Sequence, residues 1–144
     1  RMELVRELGG VKWYNDSIGT SPTRTIAGLK AFGQKIILIA GGYDKKIPYE
    51  PLAPYLCEKE SHLILRGATG PKIQQALEAC PDYDGQHPAL HWAESMEQAV
   101  QTADGLAGSG DIVALSPASA SFDLYPNFEK RGEHFKRLVA ALKP

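Results

Sequence analysis

The chain has 144 residues, the size of one domain, and 43% of them are hydrophobic, enough for a proper core. Lys and Arg number 16 against 17 Asp and Glu, a net charge of −1 with no basic run, which argues against a nucleic-acid or membrane-surface partner. No apolar stretch nears the ~20 residues that span a bilayer, and Cys57 and Cys80, far apart and in no metal-spacing motif, are expected as reduced thiols of a cytoplasmic protein.

The chain begins Arg1-Met2, with neither an initiating Met nor a leader pattern, and residues 1–144 are expected to form one domain of a longer protein. Residues 2–14 read as a β-hairpin in which Gly9-Gly10 supplies a turn tolerant of positive φ. Val11 and Trp13 alternate with Lys12, so one face is buried. After a loop over residues 15–20, Ser21 is placed to cap a helix with Pro22 at its first position. That helix is expected to reach about Phe32, where Gly33 stops it.

The cycle then repeats. Residues 35–40 form a continuous apolar strand ending at Gly41-Gly42, and a short helix lies near residues 51–57. A strand over residues 62–65 leads through Gly67-Ala68-Thr69-Gly70 to a helix begun by Pro71. Residues 90–92 are a brief strand. Ser95 and Gln98 make a capping box for a helix with Met96, Ala99, Val100 and Ala103 on one face. The last strand covers residues 111–115, and a helix beginning at Phe128 closes the chain.

Strands alternating with helices, and apolar without interruption, specify an α/β fold: a Rossmann-like three-layer domain with a mostly parallel sheet, helices on both faces and an N-terminal β-hairpin. Such sheets bind ligands at the carboxyl ends of their strands. The loops 15–20, 41–46, 67–70 and 116–123 all fall there and are expected to meet at one edge.

The chemistry in these loops is polar and anion-seeking. In Ser116-Pro117-Ala118-Ser119-Ala120-Ser121-Phe122-Asp123 small hydroxyl residues follow a buried strand, where Ser121 and the Phe122 amide can serve as paired donors. A polar turn explains the segment less well, because it carries so few charges. A nucleophilic serine is disfavoured, since no Gly-x-Ser-x-Gly elbow is present. Lys45 and Lys46 follow Gly41-Gly42 closely enough to pair with a carboxylate, or are simply solvated; the segment lacks P-loop spacing. Asp16 either accepts from a ribose or belongs to an Asx-type turn, and Thr20 either meets an anion or helps to cap the helix. The turn at Gly67 weakly resembles a phosphate turn, and a simple turn with Pro at a helix start explains it better. His62, His87, His91 and His134 have no metal spacing and read as structural or exposed.

Taken together, Asn15-Asp16-Ser17, Thr20, Gly41-Gly42 with Lys45, and the Ser-Pro-Ala block followed by Asn127-Phe128-Glu129-x-Arg131-Gly132 resemble the C-terminal domain of the bacterial Mur ligases, over essentially the whole chain. The Ser-Pro-Ala block with its Asn-Phe-Glu sequel matches the D-glutamate-adding members. The resemblance implies an ATP-dependent acid–amino-acid ligase of peptidoglycan synthesis, in which a carboxylate is phosphorylated and the amine of D-glutamate attacks the acyl phosphate. It implies Thr20, Lys45, Ser121, the Phe122 backbone and Phe128 at D-glutamate, and Arg1 and Asp16 at the nucleotide. No residue of this domain is implied as a catalytic group. ATP and Mg would be bound mainly by a central domain of the same chain, and an N-terminal domain would bind the UDP-sugar. Ile18 stands where many relatives have lysine, and Tyr43-Asp44 precedes Lys45 where a plain Asp-Gly is usual. A sister ligase, a folylpolyglutamate synthase, a flavodoxin-like binding module and a nucleotide-binding module are the alternatives.

Overall fold

A computed structural model describes residues 2–144; Arg1 lies outside the described residues. The hairpin pairs β1 (Glu3–Leu8) with β2 (Val11–Asn15) across Gly9 and Gly10, whose φ values of 59° and 79° suit the tight turn. Helix α1 (Pro22–Leu29) starts as expected: Ser21 Oγ accepts the Arg24 amide at 3.4 Å and Pro22 occupies the first turn. It ends earlier than expected. The chain leaves at Leu29 through tighter turns, Ala31 N to Gly28 O at 3.1 Å and Phe32 N to Leu29 O at 3.2 Å, which drop Phe32 into the core. Gly33 does not take the left-handed conformation that stops helices.

The remaining elements are β3 (Ile36–Ala40), α2 (Ala53–Lys59) after one 3-10 turn, β4 (Glu60–Leu65), α3 (Gly70–Glu78), β5 (Ala89–Trp92), α4 (Met96–Leu106), β6 (Ile112–Leu115) and α5 (Phe128–Ala140). At the start of α4, Ser95 Oγ accepts the Gln98 amide at 3.0 Å. Gln98 reaches back to the Glu94 amide at 2.7 Å, one residue earlier than in the usual box. Arg6 on β1 closes the other end of α5, donating Nη1 to the carbonyls of Val139 at 2.8 Å and Leu142 at 3.0 Å.

One six-stranded sheet runs β1-β2-β6-β3-β4-β5, parallel except for the hairpin. Side-chain alternation divides the core between its faces. Ile36, Leu38 and Ala40 meet α1, α2 and α3 on one side, while Ile37 and Ile39 meet α4 and α5 on the other. Three layers result, as the uninterrupted apolar strands require.

The strand order positions everything that follows. β6 is inserted between β2 and β3, so the exit loops of these three strands, distant in the chain, are neighbours in space.

Candidate functional site

The β3 exit runs beside the β6 exit. Gly41 N donates to Pro117 O at 2.9 Å and Tyr43 N to Ala120 O at 2.9 Å, an antiparallel bridge outside the sheet proper. Gly41 is required: its φ is 105°, and a Cβ there would run into the Arg66 carbonyl. Beneath the bridge lies a buried hydroxyl cluster. Thr69 Oγ1 accepts the Gly42 amide at 2.9 Å and bonds Ser119 Oγ at 2.8 Å. Tyr49 OH bonds Ser119 Oγ at 2.9 Å and donates to Ala118 O at 3.0 Å. These contacts hold Ala118 at a φ of 56°, a costly conformation for a residue with a Cβ. The loop at Gly67 thus buttresses the site through Thr69 and does not line it; Thr69 makes no side-chain cap on α3.

The β2 exit is joined by α5. Ser17 N donates to Asn15 Oδ1 at 3.0 Å, an Asx turn, and Ser17 Oγ donates to Phe128 O at 2.7 Å. Asn127 caps α5, its Oδ1 accepting the Lys130 amide at 2.8 Å. Arg131, fully buried one turn later, donates Nε to Ser17 Oγ at 2.9 Å, Nη2 to Ser17 O at 2.8 Å and Nη1 to Ser119 O at 2.9 Å. Burial pulls its pKa down to about 10, so it stays a cation at neutral pH. Beside it, buried Arg66 pairs with Asp123 at 2.8 Å. Neither arginine is among the site residues expected from the sequence. The Asn-Phe-Glu-x-Arg-Gly spacing contained the signal for Arg131, since it puts the arginine one helical turn after the cap, facing inward.

Three strand exits and the start of α5 enclose a cleft of about 320 Å³. Thr20, Lys45, Ser121, Phe122 and Phe128 all line it, with Ala120, Asn127 and Glu129 completing the wall. Among the described residues, the Thr20 hydroxyl, the Lys45 ammonium and the Ser121 hydroxyl have no protein hydrogen-bond partner. Phe122 is exposed at the rim, where its ring meets Tyr43 edge to face at 5.8 Å. The two lysines diverge: Lys45 reaches the cleft, whereas Lys46 lies 3.7 Å from Asp44, which Lys72 also grips.

Asp16 is not in this cleft. It is buried, accepts from Ser116 Oγ at 2.7 Å, and lines a separate hollow of about 430 Å³ with Met2, Ile18 and Arg24. Arg1 lies outside the described residues. A larger depression of about 750 Å³ is lined by Tyr83, Asp84 and Leu90 and, among the described residues, holds none of the candidates. No helix among the described residues is long and apolar enough to cross a membrane.

A cleft with one cation, two hydroxyls and an aromatic wall is suited to a small carboxylate ligand, because charge-assisted hydrogen bonds replace its lost hydration. Comparisons with known proteins identify the family. The family described as Mur ligase, glutamate ligase domain matches residues 1–119. The chain is 55% identical to the UDP-N-acetylmuramoylalanine–D-glutamate ligase of Clostridium beijerinckii over 146 residues, covering 99% of this chain and 31% of the relative. It is 53% identical to the enzyme of that name from Acetivibrio thermocellus over 145 residues, with the same coverage. The chain therefore spans about a third of the length of these curated relatives. In fold it is similar to a murein peptide ligase of Psychrobacter arcticus, with a TM-score of 0.65 at 15% identity over 99% of this chain and 30% of that one. It is also similar to a solved UDP-N-acetylmuramoyl-L-alanyl-D-glutamate–2,6-diaminopimelate ligase, with a TM-score of 0.59 at 17% identity over 80% of this chain and 25% of that one. The chain belongs to the Mur ligase family and comprises its glutamate ligase domain.

Proposed function

We propose that this chain is the C-terminal, amino-acid-binding domain of an ATP-dependent ligase that adds D-glutamate to UDP-N-acetylmuramoyl-L-alanine in cytoplasmic peptidoglycan synthesis. The observation that carries the reading is the gathering of Thr20, Lys45 and Ser121 in one cleft beside Phe128. Lys45 and Thr20 take one carboxylate of D-glutamate. Ser121 Oγ and the Phe122 amide take the other, and Phe128 packs on the methylenes between them. No general base is needed here. The domain acts by holding the amine of D-glutamate toward the activated carboxyl of the UDP-sugar substrate, an orientation effect that is worth up to ~7–11 kcal/mol.

Arg1 and Asp16 are assigned to the nucleotide side of the domain, Asp16 through the hollow it lines at the β2 exit. No group of three or more His, Cys, Asp or Glu among the described residues is arranged to hold a metal. ATP and Mg²⁺ are assigned mainly to a central domain of the longer enzyme, where ATP supplies the phosphoryl group that activates the carboxyl. The isolated domain is expected to bind D-glutamate weakly and to turn over nothing.

The test is a titration of ¹⁵N-labelled domain followed by NMR. D-Glutamate should shift the amides of Thr20, Lys45, Ser121 and Phe122. L-Glutamate, L-lysine and diaminopimelate should leave them in place. Equal shifts with L-lysine, or shifts confined to other surfaces, would overturn the assignment.

A further inference from the structure

The loop that carries Ser121 and Phe122 has little apolar packing to hold it. Phe122 and Leu124 are exposed, and residues 121–125 belong to no helix or strand. Two polar anchors fix it instead. Asp123 accepts Nη2 of buried Arg66 at 2.8 Å. Tyr125 OH lies 2.6 Å from Nδ1 of His134 on α5, with the two rings 5.7 Å apart. His134 Nε2 in turn lies 3.2 Å from a carboxylate oxygen of Glu97, in the first turn of α4. A carboxylate only accepts, so Nε2 carries the imidazole proton, Nδ1 keeps its lone pair, and the phenol donates to it. Burial, ahead of any neighbour, raises Tyr125 above the ordinary phenol range, which keeps that donor proton in place. The backbone of the same tyrosine holds Ser121: the Tyr125 amide donates to Ser121 O at 2.9 Å, and the Leu124 amide to the same oxygen at 3.2 Å.

We propose that Glu97, His134 and Tyr125 form a hydrogen-bonded relay that positions Ser121 Oγ and the Phe122 amide for one carboxylate of D-glutamate, an inference that rests on the ligand assigned above. Tyr125 and His134 are positioning residues. Neither lines the cleft, and each acts through the turn that Tyr125 fixes. A donor pair grips a carboxylate well only where both donors are aimed beforehand, because ordering a loose loop offsets part of the binding energy. The relay supplies that order from the core. Helices α4 and α5 pack together on one face of the sheet, and His134 and Glu97 refer the cleft wall to both of them. The arrangement has the form of a catalytic relay, but its phenol is committed to His134 and stands outside the cleft lining, so it passes no proton to the ligand.

The test compares D-glutamate titrations of the ¹⁵N-labelled parent with those of Tyr125→Phe, His134→Leu and His134→Asn. Tyr125→Phe keeps the ring, and His134→Asn keeps an acceptor near the place of Nδ1. Tyr125→Phe and His134→Leu should each weaken D-glutamate about three- to ten-fold, the scale of one hydrogen bond. The shifts of Ser121 and Phe122 at saturation should shrink while those of Thr20 and Lys45 persist, and the amide of residue 125 should exchange faster. His134→Asn should recover most of the affinity. A parent that binds D-glutamate, with Tyr125→Phe and His134→Leu binding it equally well, would overturn the relay alone. So would a loss as large in His134→Asn as in His134→Leu, or shifts reduced as much at Thr20 and Lys45 as at Ser121, since either marks general damage to the fold. A parent whose cleft amides ignore D-glutamate would overturn the ligand assignment and this inference with it.

Discussion

Arg131 Nε donates to Ser17 Oγ at 2.9 Å, a bond between residues 114 positions apart. With its other two bonds, to Ser17 O and Ser119 O, the guanidinium joins the exits of β2 and β6 from beneath. All three partners are neutral oxygens, so the charge persists as positive potential beside the cleft, with Asp123 the first carboxylate to offset it. Removing the side chain leaves buried acceptors unpaired and parts two walls of the cleft. Arg131→Ala should cost about 2–5 kcal/mol of stability, measured by urea unfolding, and Arg131→Lys should recover only part of it, since one ammonium cannot span both loops.

Lys45 lines the cleft, whereas Lys46 forms a surface ion pair with Asp44. Lys45→Ala should weaken D-glutamate binding roughly ten- to a hundred-fold, the worth of one charge-assisted bond, and leave the melting temperature unchanged. Lys46→Ala should leave the NMR titration as it was. The same pair in the full-length ligase should divide as a raised KM for D-glutamate against an unaltered one.

Gly41 has no room for a side chain. A Cβ would enter the space of the Arg66 carbonyl, and the φ of 105° is closed to other residues. Gly41→Ala should destabilise by roughly 2 kcal/mol or more and loosen the bridge to Ala120, visible as faster exchange of the Tyr43 amide.

His62 Nδ1 and His91 Nε2 lie 3.0 Å apart on adjacent strands. Burial first, and then His62, hold His91 below the ordinary imidazole range. The folded state therefore resists protonation at His91 while the unfolded state accepts it. Stability should be full above the unfolded pKa of ~6.5 and should decline as pH falls from there toward the folded pKa. His91→Asn should flatten this part of a pH series of thermal melts.

Glu60 is fully buried, neither carboxyl oxygen has a hydrogen-bond partner among the described residues, and burial raises its pKa well above the usual range. The folded protein keeps it protonated where the unfolded chain would ionise it. The stability tied to this group is complete below the unfolded pKa of ~4.3 and drains away as pH rises toward the folded value. Glu60→Gln should then be more stable than the parent at pH 7, by a margin that shrinks as pH falls to 4.

Local patterns made most of the elements legible. Ser21-Pro22 and Ser95 with Gln98 marked helix starts because capping is a short-range hydrogen-bonding problem, solved within four residues. Gly9-Gly10 marked the hairpin because only particular residues take its turn. The end of α1 was missed for the opposite reason: Phe32 is drawn out of the helix by the core beneath it, not by Gly33. Asp16 shows the same limit. A strand-end carboxylate can face a ligand or its own loop, and the Ser116 hydroxyl 100 residues away is part of what orients it.

By itself the sequence determined the periodicity of each element, the two-sided burial of the central strands and the residue types at the strand exits, because these depend on neighbours a few positions away. Which exits stand side by side was decided only when β6 inserted between β2 and β3. That step placed Ser121 next to Thr20 and Lys45 and buried Arg131 against Ser17. Pairings of this kind follow from how helices and strands pack across the whole domain, and no short window of sequence carries that information.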